Sequence, residues 1–540
     1  MSESYDVIVV GAGHNGLIAA NYLVDAGLKV LILERRDVVG GAVCTEERVP
    51  GFRFDVGSSA HIMFKMTPIM KELRLDQYGL EYIEMDPWAF HPVEGVPGGL
   101  VFWRSVEKTC DSIARISPRD AQAYADFVKH WGELNEGVFE TFLKPPTPAN
   151  LFGSIFKRNL TSFRSRKLWS SLETVRQLMS SYGRVIEETF ESEPLRAALS
   201  WLAAQSGPPP SEIATGDFVG WYAMIHRHGA WRAKGGSGAL TQALAARFRE
   251  KGGRIVLDAS VKRINPAGGV RERFKVETLQ GQFTGASIMS ACHIQTLFKA
   301  LHPDIAPDYL RQRIEHLKVG NGFGMVVRHA VSELPQYLGQ PRDERGVSPA
   351  HSALQLLCPS RAYLDYAYKE YSIGRPPTYP AVVAMTFSAI DPSLAPPGQH
   401  TLFAWAQYHP YELATGESWD GIAEREADKI WQVVCNHAPN MKNAMIDRYI
   451  QTPVEIERLL GLPHANVMHL EMSFDQMFAF RPTSELSGYR TPIPGLYLTG
   501  ASTHPGGGVF GASGRSAAKV LLQDLKKKKL KLEDPVVPAS

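Results

Sequence analysis

Apolar residues near the start of the chain form two short, unbroken runs. Val7–Val10 and Val30–Leu33 are wholly apolar, which is typical of parallel strands that are buried on both faces. The residues from Leu17 to Ala26 have the pattern of a helix, which Gly27 ends. A strand, a helix and a second strand in this order predict a βαβ unit and an α/β fold class.

Three glycines follow the first predicted strand in the spacing GxGxxG. Gly11 permits a tight turn, Gly13 lets the backbone approach a pyrophosphate, and Gly16 allows close packing of helix against strand. Glu34 ends the second strand, where its carboxylate can accept hydrogen bonds from a ribose hydroxyl. Because strand, helix and acidic end are all in place, the pattern predicts a dinucleotide site rather than a glycine-rich surface turn.

A second glycine-rich stretch, GASTHPGGGVFGASG, lies close to the end of the chain. It follows the apolar run Leu496–Thr499, which predicts a buried strand, and it precedes a helix predicted from about Ala512. Between the two glycine-rich stretches, further α/β elements are predicted at residues 240–248 (helix), 255–257 (strand) and 285–293 (strand). Glycines allow a backbone to approach a flat or charged ligand closely, so this stretch is a candidate second wall of the site.

Several motifs resemble those of the phytoene-desaturase-like flavoproteins, which are relatives of the amine oxidases. They are GAGHNGL, DPSLAPPG, SFDQMFAFRP, THPGGG and the pair Gly40–Gly41, and the resemblance covers almost the whole chain. It implies a Rossmann-like FAD-binding domain of the amine oxidase and phytoene desaturase type, assembled from residues 1–90, 231–330 and 490–525. Residues 91–230 and 331–489 are expected to form an α+β substrate domain, and 526–540 a basic tail.

The resemblance implies FAD as the cofactor, and no second GxGxxG follows a strand as an NAD(P)H site would need. Many relatives carry Arg after the glycine pair, where this chain has Ala42 and Val43, so Arg35 or Arg36 is the expected substitute. The residues expected to bind FAD are Gly11, Gly13, His14, Asn15, Gly16, Glu34, Arg35, Gly40, Gly41, Ala42, Val261, Gly500, Ala501, Pro505 and Val509.

His504 is the side chain expected to take part in chemistry, by orienting the substrate or moving a proton. The alternative is that it only packs and forms hydrogen bonds. Met472, Phe474, Met477, Phe478 and Phe480 are expected to wall an apolar tunnel, or else to be ordinary core. Nearby, Asp475 and Arg481 are expected to be a structural pair.

The activity that the resemblance implies is that of an FAD-dependent oxidoreductase acting on a carotenoid or related isoprenoid. Hydride removal at an allylic C–H would lead to ketolation, as in the cyanobacterial-type beta-carotene ketolases, or to desaturation. A quinone or oxygen is the expected electron acceptor. Two alternatives stay open: a flavoprotein with a regulatory or partner-binding role, and a non-enzymatic prenyl-lipid carrier of the same fold.

The composition limits the kinds of partner, bound metal and cellular location that we expect for this chain. The net charge of +2 on 540 residues provides no overall field for nucleic acid. The odd number of cysteines, five, without a CxxC pair predicts no metal site and no disulfide framework, and it fits a reducing compartment. The start of the chain lacks the features of a signal peptide, and no apolar stretch of about 18 residues occurs. We therefore expect a cytoplasmic location.

Residues 151–170 suggest contact with a membrane surface. The segment carries five basic residues and no acidic one, and its apolar residues recur at nearly helical spacing. This pattern favours a peripheral helix whose cations meet anionic headgroups; the alternative is a helix packed on the protein. The tail KKKKLKL is a second basic cluster.

Overall fold

The computed structural model describes residues 4–147, 149–150 and 165–532. Within them the strands are β1 Ser4–Val10, β2 Val30–Leu33, β3 Thr45–Val49, β4 Phe52–Asp55, β5 Tyr82–Met85, β6 Ala89–Val93, β7 Val96–Phe102, β8 Ala230–Ala233, β9 Arg254–Val256, β10 Val261–Pro266, β11 Phe274–Thr278, β12 Gly281–Ser290, β13 Gly322–Val331, β14 Leu354–Leu357, β15 Ala381–Met385, β16 His400–Pro410, β17 Met445–Gln451 and β18 Leu496–Leu498.

The α-helices of the same residues vary from one turn to seven. They are α1 His14–Asp25, α2 Ile69–Glu72, α3 Val106–Ala114, α4 Pro118–Phe142, α5 Ser165–Met179, α6 Tyr182–Thr189, α7 Glu193–Ala204, α8 Asp217–Gly220, α9 Ala223–His228, α10 Gly238–Glu250, α11 Ile294–Ala300, α12 Asp308–Glu315, α13 Arg361–Ser372, α14 Trp419–His437, α15 Pro453–Leu460 and α16 Ala512–Lys526.

The first sheet confirms the predicted α/β fold. Its strand order is β10-β11-β12-β1-β2-β9, and β18 also pairs with β12. The pairings of β1 with β2 and β12, of β2 with β9 and of β12 with β18 are parallel, whereas β10 and β11 are antiparallel. Apolar residues on one face of β1 and β2 pack with α1, α10 and α16 in one buried cluster, and those on the other face pack in a second cluster that includes α11 and α12. The unbroken apolar runs of the sequence are therefore strands covered on both faces.

The second sheet has the order β17-β13-β16-β15-β14-β6-β7 and is mostly antiparallel. Successive side chains of its strands point to opposite faces. On β15, Val382 and Ala384 pack in the cluster that includes α14, while Val383 and Met385 pack in the cluster that includes α7. Both faces of this sheet are therefore covered, and the second face adjoins the site described below.

The strands of the first sheet come from residues 4–33, 254–290 and 496–498, which fall inside the three segments predicted to form one domain. The predicted boundary at residue 330 differs from the structure. β13 begins at Gly322 and pairs with β16 and β17, so this part of the chain already belongs to the second sheet. A fully buried strand gives no signal in the sequence that distinguishes one buried sheet from the other.

The structure contradicts one further expectation and leaves another untested. Asp475 and Arg481 are not a pair: Asp475 lies 3.4 Å from the Lys318 ammonium, whereas Arg481 is buried among backbone carbonyls. Most of segment 151–170 lies outside the described residues, which resume at Ser165. Among the described helices, none is long and apolar enough to cross a membrane.

We expect Gly16→Ala to destabilise the folded protein. A Cβ at Gly16 would lie 2.3 Å from the carbonyl oxygen of Gly11 and 2.9 Å from Cβ of Ala291, and backbone at that distance must shift. Overpacking of this kind costs about 1–3 kcal/mol, so thermal unfolding should begin at a lower temperature. Gly268→Ala is the control, because a Cβ there meets nothing within 4 Å. Equal melting of the two variants would contradict the packing role of Gly16.

Candidate functional site

The three glycines after β1 have the separate roles that their spacing predicts. Gly11 has a φ of +99°, a conformation that favours glycine, and its N–H donates to Leu33 O at 2.8 Å. Gly13 precedes α1, and a Cβ built on it would meet nothing within 4 Å. Gly16 packs directly against Gly11 and Ala291. One glycine thus makes the turn, one leaves open space and one permits close packing.

The start of α1 supplies hydrogen-bond donors to that open space. Leu17 N–H donates to Gly13 O at 2.9 Å, so the N–H groups of His14, Asn15 and Gly16 precede the first bond within the helix. All three residues line the same cavity as Gly13. Free N–H groups and the positive end of the helix dipole favour a phosphate there.

The Glu34 carboxylate is nearly buried and is held by the backbone. Its Oε2 accepts a hydrogen bond from Ala12 N–H at 2.7 Å, and its Oε1 accepts one from Arg36 N–H at 2.9 Å. Two donors on opposite oxygens fix the orientation of the carboxylate at the end of β2, where it lines the cavity. The remaining lone pairs suit the hydroxyls of a ribose.

The last segment of the chain closes the site from the other side. Gly500 follows β18 with a φ of +94°, and its N–H donates to Ser513 Oγ at 3.0 Å. Gly514 N–H, in the first turn of α16, donates to Asn15 Oδ1 at 3.1 Å. The first bond closes the second glycine-rich stretch on itself, and the second bond joins it to the first stretch, almost 500 residues away in the sequence.

One cavity of about 660 Å³ joins most of the residues predicted to bind FAD. Those lining it are Gly11, Gly13, His14, Asn15, Gly16, Glu34, Arg35, Gly40, Gly41, Ala42, Val261, Gly500, Ala501 and Val509. We call these residues the cradle. His504 and Pro505 do not line the cavity. His504 is fully buried, its Nε2 lies 3.3 Å from Thr141 O, and burial lowers its pKa to about 4. Its part in the chemistry stays a prediction.

Neither arginine after β2 extends freely into the cavity. The Arg35 guanidinium donates to the carbonyl oxygen of Arg458 at 3.2 Å, at the C-terminal end of α15. Arg36 forms an ion pair with Glu46. Both residues line the cavity, but their side chains already have partners, so a phosphate in the cradle would be bound mainly by backbone N–H groups.

The same cavity continues along the second sheet into a region that we call the apolar chamber. Leu354, Val383, Met385, Phe403 and Trp405 lie on one face of their strands, as the period of two requires. The chamber consists of Gln205, Phe323, Gly324, Val326, Leu354, Val383, Met385, Phe403 and Trp405. The rings of Phe323 and Trp405 are 5.6 Å apart.

No pattern in the sequence predicts the chamber or two cavity histidines, His293 and His469. The alternation in HTLFAWAQYHPY predicts the strand β16 but not what its chamber face meets. The five methionine and phenylalanine residues of 472–480 are absent from the cavity lining; Phe474 and Phe480 are 46% and 44% exposed. Met468, just before that stretch, does line it.

The cradle fits a flavin dinucleotide. Gly13 leaves room that any Cβ would fill, donors of α1 face that room, and Glu34 is oriented by two backbone bonds. Gly40 and Gly41 continue the cradle with φ values of +125° and +57°. Gly11, Gly13, Gly16 and Glu34 would hold the cofactor, and the cavity's extension into the apolar chamber lets a second, apolar molecule reach it.

We expect Gly13→Val to weaken FAD binding by about 10- to 100-fold, the equivalent of an overpacking cost of about 1–3 kcal/mol. The new side chain would occupy the space above the turn, while the fold itself leaves that space empty of protein atoms. Flavin absorbance per protein after purification, followed by titration of the apoprotein with FAD, measures the loss.

Gly268→Val is the matched control, because this glycine also has open space around it but does not line the cavity. It should retain the flavin content of the unmodified protein. Normal flavin content in Gly13→Val would show that the cofactor does not approach the chain at this turn.

Comparisons with known proteins agree with this geometry. The family model for flavin-containing amine oxidoreductases matches residues 16–331. Pyridine nucleotide-disulfide oxidoreductase domain-containing protein 2 of Rattus norvegicus is 32% identical, covering 97% of this chain and 94% of its own. A limonene dehydrogenase subunit of Castellaniella defragrans is 28% identical (96% and 95%), and the lycopene-forming phytoene desaturase of Pantoea ananas is 26% identical (96% and 99%).

Solved structures agree on the fold. An oxidoreductase from Methanosarcina mazei superposes with a TM-score of 0.62 at 15% identity, over 96% of this chain and 100% of the other. A triple mutant of putrescine oxidase gives 0.63 at 14% identity, over 97% and 99%. With the GxGxxG turn, the oriented Glu34 and the family match over more than half of its length, the chain belongs to the flavin-containing amine oxidoreductase family and is an FAD-dependent oxidoreductase.

Proposed function

We propose that this oxidoreductase acts on a carotenoid or related isoprenoid, from which it removes hydride at an allylic C–H. The observation that carries the proposal is the continuity of the cradle with the apolar chamber in one cavity. A substrate in that chamber can reach the cofactor site without passing through solvent. Apolar surface favours a hydrocarbon there by about 25 cal/mol for each Å² removed from water.

The chamber suits a hydrocarbon better than an amine. None of its nine residues is charged, and Gln205 supplies its one amide side chain. An ammonium group buried there would lack a carboxylate partner, and burying an unpaired charge is costly. Family membership alone therefore does not make an amine the best candidate substrate.

The names of two relatives support the same substrate class. Limonene and phytoene are both isoprenoid hydrocarbons, and the two proteins are named for a dehydrogenase and a desaturase. Each matches 96% of this chain, so the likeness includes the segments that form the chamber.

The chain's own residues hold the substrate and exclude water. FAD, when bound, supplies a two-electron acceptor. Phe403, Trp405 and their neighbours restrict the position of a long apolar chain, so that binding also orients its reacting C–H bond. Loss of two hydrogens gives a double bond. A ketone, as in beta-carotene ketolation, requires two successive two-electron oxidations of one allylic CH2 group, in which oxygen from water replaces both hydrogens. A quinone or oxygen is the proposed final electron acceptor.

We expect isoprenoid-containing liposomes to bleach the flavin absorbance of the purified protein under anaerobic conditions. Beta-carotene, phytoene and limonene are tested separately, because the lining of the chamber favours apolar substrates but does not define their length. Mass analysis of the extracted product distinguishes loss of two hydrogens from gain of oxygen after air is admitted.

Putrescine and cyclohexylamine provide the comparison with amines. Bleaching by an isoprenoid and not by either amine is the expected result. Bleaching by the amines alone would overturn the proposal, and no bleaching by any isoprenoid would do the same while leaving the FAD assignment intact.

We also propose a peripheral contact with an anionic membrane. Support comes from α5, where Leu172, Val175 and Met179 are 52%, 55% and 48% exposed. Ile213, which is 70% exposed, adjoins this surface, because the neighbouring Ala214 N–H donates to Met179 O at 3.0 Å. The five basic residues at 157–167 directly precede this apolar surface in the sequence. Exposed apolar side chains next to cations are typical of membrane-surface binding.

Replacing Lys157, Arg158, Arg164, Arg166 and Lys167 by Gln should reduce co-sedimentation with liposomes that contain anionic lipid, because each cation near such a surface contributes about 1 kcal/mol. The same substitution of the four lysines at 526–529 is the control for net charge. Equal losses in both variants would indicate general charge attraction, and an unchanged partition would reject the contact.

A further inference from the structure

His469 lines the cavity that contains both the cradle and the apolar chamber. The chain that leads to it lines the cavity at Leu462, Ala465, Val467 and Met468. Its imidazole Nδ1 is 2.9 Å from Oγ of Ser502, which directly follows the cradle residue Ala501. The side chain is therefore tied to the segment that follows the cradle, while the backbone before it lines the same cavity.

The conformation of His469 is unusual. Its φ is +66°, in the left-handed region that a residue with a Cβ seldom adopts. Strained backbone of this kind persists where the surrounding structure enforces it, and it concentrates at functional sites. Here Arg481 donates to the carbonyl oxygens of Met468 and Ala501, on either side of the His469–Ser502 contact.

The Ser502 hydroxyl can pair with His469 in either protonation state. Ser502 Oγ accepts a hydrogen bond from Ile294 N–H at 3.1 Å. This leaves one lone pair and the hydroxyl proton, so the hydroxyl can donate to a bare Nδ1 or accept from a protonated one. The other ring nitrogen, Nε2, has no hydrogen-bond partner among the described residues and is available to a ligand in the cavity.

The charged and titratable groups around His469 are His293, Arg481 and His14. The His293 ring is 5.2 Å away, and its Nε2 bonds to His469 O at 2.9 Å. Burial, followed by the proximity of these three groups, holds the pKa of His469 well below its usual range. The imidazole is therefore neutral at pH 7 and has an unprotonated ring nitrogen. A negative charge arriving in the cavity would raise its pKa.

We infer that His469 is the proton acceptor of this cavity, with Ser502 as the residue that positions it; as a step in catalysis, this rests on the proposed function. When hydride leaves one substrate carbon for oxidised flavin, the C–H bond on the neighbouring carbon breaks. Its electron pair forms the new C=C bond, and its proton goes to Nε2. For a substrate hydroxyl, the O–H proton takes the same route and a carbonyl forms.

His469→Asn tests this inference without needing the substrate. Asn accepts a positive φ more readily than most residues but does not take up a proton. The midpoint potential of the bound flavin is measured against pH during dye-coupled photoreduction. On two-electron reduction, the unmodified protein should take up one proton more than the variant. Its midpoint potential should therefore fall more steeply with pH, by about 30 mV more per pH unit, which is a tenfold difference in equilibrium constant.

His464→Asn is the matched control. His464 also has a positive φ, +51°, but it does not line the cavity, and its Nδ1 bonds to Gly320 O at 2.9 Å. The control should keep the pH slope of the unmodified protein. A variant at 469 that binds FAD normally and keeps the same slope would overturn the inference.

If His469→Asn does not retain FAD, Ser502→Ala replaces it. Loss of the hydroxyl leaves Nδ1 without its partner, so the slope of midpoint potential against pH must change at a different pH. If it changes at the same pH, the inference is also overturned.

With an isoprenoid that bleaches the flavin, His469→Asn should slow bleaching about 100-fold or more, with partial rescue by added imidazole. No bleaching of the unmodified protein rejects only the proposed substrate class, because the potentials still decide the proton acceptor.

Discussion

The structure depends on three backbone segments that meet at the carboxyl edge of the first sheet with almost no space between them. A Cβ at Gly16 would overlap Gly11 and Ala291, and one at Gly500 would lie 3.2 Å from Ala291 O. The segments come from the start, the middle and the end of the chain. The free N–H groups of α1 and the cavity both lie at this edge. Every other part of the site therefore takes its position from this contact.

The second sheet is joined to that edge through buried charge. Arg328, on β13, donates from Nε to Asp55 O at 2.7 Å, and Arg232 Nη1 lies 3.4 Å from an oxygen of the Asp55 carboxylate. Asp55 also accepts from Ser237 N–H at 2.7 Å, at the start of α10. Removing one partner of a buried charge is far more costly than losing a surface pair. This junction therefore holds the apolar chamber in a fixed position relative to the cradle.

The sequence predicts which residues meet in the cradle but not the rest of the cavity lining, for a physical reason. Gly11, Gly13, Gly16 and Glu34 act through backbone geometry over about two dozen consecutive residues, so their spacing alone carries the information. The chamber is built from single residues of separate strands, and no local pattern records which face of a buried strand meets a cavity. Arg35 has the right charge and position in the sequence, yet it bonds to α15, which lies more than 400 residues further along.

The two histidines illustrate the same limit. His504 stands in the glycine-rich motif, where local pattern draws attention, but it is packed against Phe142 and Thr141. His469 stands at the start of the stretch expected to wall an apolar tunnel or to be ordinary core, and neither expectation singles it out. What brings it to the cavity is Arg481, whose Nη1 and Nη2 donate to Gln476 O at 3.0 Å and Ala501 O at 2.8 Å.

A planar guanidinium with five donors can hold several carbonyls at once, which a lysine ammonium cannot do in the same geometry. Burial lowers the pKa of Arg481 to about 9, so it stays charged at neutral pH. The cation thus fixes the loop that carries His469 to the wall that carries the cofactor, and it disfavours a second positive charge on the imidazole until negative charge enters the cavity.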